Sequence, residues 1–344
     1  MNSSATRPVR CYDLPGRSPM EAPVPTLAQI EDARPAIRGA AIRTPLVRLG
    51  ALEGAPQIYL KLENLQPIGS FKIRGAMNAI AHLSPRELAK GVVTASAGNM
   101  AQGVAWGAGL RQIPCTVLAP ETAPEAKVRA VERLGGRVVK VPFDEWWQAF
   151  QTRTVPGVEG TFIHAFDDSH VMAGNGTIGL EILEDLPDAD AIVVPWGGGG
   201  LACGIAAAIR ARGSGARVYA AEVETGAPLA ASLEAGTPQV VELRRSFVDG
   251  IGSKTVFADM LRRAQALLDG SLVATLSEIA SAMKLLAERN RVIAEGAGAC
   301  PVAVALSGRA RQGKIVCVVS GGNIDLDRFC SVLAEAESAE RPAL

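Results

Sequence analysis

Short apolar segments of strand length alternate with amphipathic segments of helix length along most of this chain. That alternation constrains the fold more than any other feature. Strands are predicted at 58–62, 91–94, 115–118, 137–141, 161–164, 191–194, 217–222 and 314–320. Between them, helical periodicity runs over 73–83, 101–109, 123–134, 144–153, 174–186 and 201–212, with a mainly helical stretch over 227–306. Apolar strands joined through helices imply parallel sheets covered on both faces. A chain of 344 residues suggests two such α/β units rather than one long sheet.

Charge excludes several classes of function. Lys plus Arg and Asp plus Glu number 35 each, so no net field favours nucleic acid or a membrane surface as partner. No apolar run approaches the roughly 18 residues of a membrane span. Residues 1–24 read as a disordered lead-in without a secretory apolar region. Six cysteines are scattered without a CxxC pair, which fits a reducing cytoplasm and neither a disulfide framework nor a zinc cluster.

Four segments carry chemistry. Gly69 to Ala76 reads GSFKIRGA and places Lys72 between Phe71 and a glycine-punctuated helix start. A desolvated lysine loses proton affinity and becomes a nucleophile toward carbonyls such as pyridoxal phosphate (PLP). Gly197, Gly198, Gly199, Gly200 and Leu201 follow a strand and open a helix, which suits a phosphate. The same loop satisfies a dinucleotide fingerprint, with Glu222 ending the next strand, so by itself it leaves PLP and a dinucleotide both open. Ser96, Ala97, Gly98, Asn99 and Met100 join a strand to a helix, either as a nest for a carboxylate or as a simple cap. Ser320 to Asn323 (SGGN) ends the last strand, where a small hydroxyl and two glycines suit close approach to a ring. His164, Asp167 and Asp168 are taken as loop and capping residues.

In this order the four segments resemble the threonine dehydratase and serine racemase family of PLP enzymes, from about residue 27 to 329. The resemblance implies fold type II, similar to the tryptophan synthase β chain: two parallel-sheet α/β domains with PLP in the cleft. The large domain would comprise 25–64 and 165–344, and the smaller, mobile one 65–164. Lys72 would hold PLP as a Schiff base, Phe71 would flank the ring, Asn99 would bond the ring hydroxyl, and Gly197 to Leu201 would hold the phosphate. Ser320 would face the pyridine nitrogen. A neutral hydroxyl leaves the ring a weaker electron sink, which favours fast β-elimination over transamination. Lys72 and Ser96 are the catalytic candidates, and Ser96, Ala97, Gly98, Asn99 and Met100 the substrate contacts. The implied reaction is dehydration and deamination of a β-hydroxy-α-L-amino acid to a 2-oxo acid and ammonia, with acid help from the cofactor phosphate.

Departures from the family pattern narrow this. Racemases of the family carry a serine where this chain has Ala97, which has no proton to move. Met100 stands where many relatives have His. With Trp196 beside the glycine loop, it points to a β-substituent less polar than that of serine, as in threonine or phenylserine. A divalent-cation site would use Glu222, but Pro228 stands where its second acid is expected, so a metal is left open. The short segment after Cys330 leaves no room for a C-terminal regulatory domain and favours a catabolic role. A homodimer or homotetramer is expected. The alternatives are a racemase of the same family, a dinucleotide-dependent oxidoreductase, and a non-catalytic amino-acid-binding protein.

Overall fold

The computed structural model describes residues 23–50 and 56–340. The expected lead-in therefore lies outside the described residues except for its last two positions. In chain order the elements are α1 (Leu27–Ala36), β1 (Leu46–Arg48), β2 (Gln57–Leu62), α2 (Lys72–Ala81), α3 (Pro85–Lys90), β3 (Val92–Ala95), α4 (Asn99–Arg111) and β4 (Cys115–Pro120). Then follow α5 (Glu125–Arg133), β5 (Arg137–Val141), α6 (Phe143–Thr152), β6 (Thr161–Phe162), α7 (Ser169–Asp185), β7 (Ala191–Pro195) and α8 (Gly200–Ala211). The remainder comprises β8 (Arg217–Val223), α9 (Pro228–Ala235), α10 (Ala258–Leu267), β9 (Gly270–Ala274), α11 (Leu276–Leu285), α12 (Gly296–Leu306), β10 (Lys314–Val319) and α13 (Leu326–Glu340).

Two sheets result, as the alternation predicts. One has six strands in the order β1-β2-β10-β7-β8-β9, the other four in the order β5-β4-β3-β6. All neighbours are parallel except β1, which pairs antiparallel with β2. Burial on both faces follows the two-residue period of a strand. Ala191, Val193, Ile315 and Cys317 pack into the core on one face of the larger sheet. Ile192, Val194, Val316 and Val318 pack into the core on the other.

Strand order decides where a ligand can enter. From β7 the chain proceeds to β8 and β9 on one side, while β10 lies on the other. From β3 it proceeds to β4 and β5, while β6 returns on the opposite side. Each reversal leaves a crevice at the carboxyl ends of the strands, where open α/β sheets bind ligands. The segments after β7, β10, β3 and β6 all line one cavity.

The expectation of a mainly helical 227–306 needs correction. It contains β9, the edge strand beside β8, and an irregular stretch between α9 and α10. In Gly270–Ala274 the sequence GSLVA is short and begins with glycine, so its pattern is too weak to stand out between helices. Among the described residues no helix is long and apolar enough to cross a membrane.

Candidate active site

The glycine loop is a backbone cradle. Gly199 has φ +93° and caps α8 in the left-handed region, where side chains are strained. A Cβ on Gly198 would lie 1.8 Å from the Phe166 ring, and one on Gly199 2.3 Å from Trp196. On Gly200 it would meet the Phe166 carbonyl oxygen at 2.7 Å. Close packing behind the loop thus demands glycine, and Gly197 to Gly200 line the cavity as bare backbone. Such a helix start attracts phosphate.

Lys72 is the first residue of α2 and lines the same cavity. Its Nζ donates to the Ala165 carbonyl oxygen at 2.8 Å and sits 5.1 Å from the centre of the Phe71 ring. Burial lowers its pKa to about 8, opposed by the charge of Glu295. An amine so shifted supplies far more of its neutral, nucleophilic form near neutral pH than an exposed lysine.

A buried ionic cluster holds the turn that carries Lys72. The Arg74 guanidinium donates to both Glu63 oxygens at 2.8 Å and to Glu181 at 2.7 and 2.9 Å. Lys61 Nζ donates to Glu181 at 2.6 Å and to the Thr44 carbonyl oxygen at 2.7 Å. Two cations and two carboxylates balance in a space that excludes water, joining β2, α2 and α7. Burial alone would raise the Glu63 carboxyl, but Arg74, with Thr44 and Lys61, outweighs it and holds it below its ordinary range.

In the same cavity, Ser96 Oγ accepts from the Gly98 N–H at 3.2 Å. Asn99 does not act as a helix cap, because α4 has no side-chain cap bond. Its Nδ2 donates to Glu295 Oε1 at 2.9 Å, and its Oδ1 accepts from Asn323 Nδ2 at 2.8 Å. Glu295 is buried in the cavity wall, and burial raises its pKa to about 7. Ser320, also buried, lines the cavity beside the cradle, and its carbonyl oxygen accepts the Phe71 N–H at 3.0 Å.

The cavity holds about 440 Å³ and brings together all the residues singled out in Phe71–Lys72, Ser96–Met100, Gly197–Leu201 and Ser320. Two sequence-based candidates do not belong to it. Trp196 is 1 % exposed and packs in the core behind the loop, supporting Gly199 rather than facing a ligand. The aromatic wall comes from Phe143 and Trp146 of α6 instead, with ring centres 5.6 Å apart. Glu222 is buried and turned to α9, accepting from the N–H groups of Leu229 at 2.9 Å and Ala230 at 2.7 Å and from Ser271 Oγ at 2.7 Å. Its oxygens are engaged, and no acidic or thiol cluster able to hold a metal occurs among the described residues. His164 Nδ1 accepts the Asp167 N–H at 2.9 Å, and the Asp168 side chain caps α7.

Sequence reasoning missed Glu295, Phe143 and Trp146. A glutamate directly before the helix GAGA was a signal for the first, since an acid at a helix start is either a cap or a site residue, and here it makes no side-chain cap bond.

The residues present fit PLP. A side-chain-free cradle suits its phosphate, a recessed amine of lowered pKa its aldehyde, and a buried neutral hydroxyl at Ser320 its ring nitrogen. Comparison with known proteins agrees. Residues 37–321 match the family described as pyridoxal-phosphate dependent enzyme. The chain is 42 % identical over 313 residues to the L-threonine ammonia-lyase of Thermotoga maritima, covering 90 % of this chain and 78 % of that one. It is 38 % identical over 322 residues to the catabolic L-threonine dehydratase of Staphylococcus aureus, covering 91 % and 93 %. The structure of maize serine racemase superposes with a TM-score of 0.83 at 31 % identity, covering 92 % of this chain and 99 % of that one. The chain belongs to the pyridoxal-phosphate dependent enzyme family.

Proposed function

We propose that this enzyme is a PLP-dependent ammonia-lyase that converts L-threonine to a 2-oxo acid and ammonia. The observation that carries the reading is the recessed Lys72 amine, of pKa about 8, in one cavity with the glycine cradle and the Ser96–Asn99 turn. When bound, PLP supplies an electron sink conjugated to the substrate Cα.

The chain's own residues do the rest. Backbone N–H groups around Gly98, that of Asn99 among them, and the Ser96 hydroxyl bind the substrate carboxylate and orient its Cα–H bond toward Lys72. Lys72 Nζ takes the Cα proton, the β-hydroxyl leaves with a proton as water, and the released enamine is hydrolysed to the 2-oxo acid and ammonia. Ala97 offers no group to return a proton to the other face, so elimination prevails over racemisation. Phe143 and Trp146, with Met100 packed at the cavity edge, give the β-substituent an apolar surround, suited to the methyl of threonine or to an aryl group. As part of the same proposal, residues 65–164 form the smaller, mobile unit against 25–64 and 165–344. The enzyme works in the cytoplasm as a homodimer or homotetramer.

The test is a 2-oxo acid release screen over L-serine, L-threonine, threo-phenylserine and threo-3-hydroxyaspartate. Threonine or phenylserine should lead. L-Serine turned over much faster than both would refute the apolar-substituent reading, and no turnover of any would refute the lyase.

A further inference from the structure

The polar atoms around Asn99 fix its orientation by elimination. The Ile68 carbonyl oxygen can only accept a hydrogen bond, so the Asn323 atom 2.8 Å from it must be the amide nitrogen. That same Nδ2 lies 2.8 Å from Asn99, so both its protons are spent and the Asn99 atom facing it must be the oxygen. Asn99 Nδ2 is thereby turned toward Glu295 Oε1, 2.9 Å away. An amide nitrogen carries two protons. One goes to Glu295, and one is left over beside the cavity that Asn99 lines.

We propose that Asn323 and Glu295 are positioning residues that clamp the Asn99 amide, so that its remaining N–H is held ready for the ring hydroxyl of the cofactor. This rests on the reading of Asn99 as the cofactor's hydroxyl partner. The clamp spans the cleft. Asn99 opens α4 beside the four-stranded sheet, whereas Asn323 follows β10 and Glu295 precedes α12 on the six-stranded side. Its parts are held from behind. The Glu295 N–H donates to the Gly321 carbonyl oxygen at 3.1 Å, and a Cβ on Gly69 would fall 2.4 Å from Asn323 Oδ1, so Gly69 admits Asn323. Glu295 is also the one member of the clamp that titrates. The charged groups around it are Asp249, which favours its protonated form, and Lys127, which favours its ionised form, with Lys72 coupled to it across the cavity. Lys127 and Asp249 are themselves paired at 2.5 Å.

The experiment measures affinity for PLP and the pH titration of the bound cofactor's visible band in the full-length chain, alongside turnover. The variants are Asn99→Ala, Asn323→Ala, Glu295→Ala, Glu295→Gln and the doubles with Asn99→Ala. Asn323→Ala and Glu295→Ala should each weaken PLP binding about 10-fold, the scale of one lost hydrogen bond to a charged group. Neither should weaken it further once Asn99 is alanine. Glu295→Gln keeps an acceptor for Asn99, so it should retain near wild-type affinity while shifting the pH titration of the band. Full additivity in the Asn99→Ala background would overturn the clamp while leaving Asn99 as a cofactor residue. An Asn99→Ala chain with unchanged affinity and spectrum would overturn the Asn99 reading itself.

Discussion

Lys72 Nζ and the Ala165 carbonyl oxygen are 2.8 Å apart, a bond that ties the first residue of α2 to the loop following β6. The acceptor is a neutral carbonyl, so it positions the amine without holding it as an ammonium in the way a carboxylate would. The Glu295 charge acts in the opposite sense but is outweighed by desolvation. The lysine is thereby placed at the point where both strand-order reversals open.

Lys72→Ala should lower elimination by at least about 10²- to 10⁴-fold, the usual contribution of a positioned proton-transfer group. It should also abolish the borohydride-sensitive visible absorbance. In the cofactor-free chain Lys72 is charged below about 8 and neutral above it. PLP uptake measured by stopped-flow absorbance should therefore accelerate as pH rises from 6 to 8 and then level. A rate independent of pH over that range would contradict the assigned amine.

Gly198→Ala should weaken PLP binding about 10-fold or more, because its methyl group would overlap the Phe166 ring. Phe166→Ala in the same chain should recover part of that loss. Fluorescence titration of the two singles and the double checks it, and independent, additive losses would count against overlap as the cause.

Arg74→Met should destabilise the fold by about 3–5 kcal/mol, since it leaves Glu63 and Glu181 buried without their shared cation. Urea unfolding at pH 7 measures this. The Glu63 carboxyl is held below its ordinary 4.5 in the folded chain. Its stabilisation is therefore present above that value and lost as pH falls through the lower folded one. Below pH 4.5 the variant should lose stability with falling pH less steeply than wild type.

Removal of divalent cations with a chelator should leave turnover unchanged, because three donors already occupy the Glu222 carboxylate. Glu222→Ala should instead cost about 1–3 kcal/mol in unfolding experiments, the scale of orphaned buried donors. A chelator-sensitive activity restored by magnesium or calcium would contradict this.

Much of the fold was legible because its signals are local. Val92–Ala95 and Ala191–Pro195 are short apolar runs flanked by helical periodicity, and they became the strands at the two switch points. β9 was missed because an edge strand opening on glycine carries little pattern. Trp196 was misjudged for a related reason. Adjacency to the glycine loop says nothing about direction, and the structure turns its indole into the core. Met100 is named by the same reasoning; it borders the cavity but is 2 % exposed and packs from α4 into the core.

The sequence by itself determined the family: a lysine after an aromatic, a four-glycine turn, a Ser-Ala-Gly-Asn turn and a serine at the last strand end are short motifs legible in neighbouring residues. Tertiary structure alone decided which side chains support them. Asn99 meets Glu295 across 196 residues of chain, and Arg74 meets Glu181 across 107. The reason is physical. A motif is encoded in neighbouring residues, whereas a buried polar atom takes its partner from whatever the packing brings within 3 Å, and no spacing in the chain records that choice.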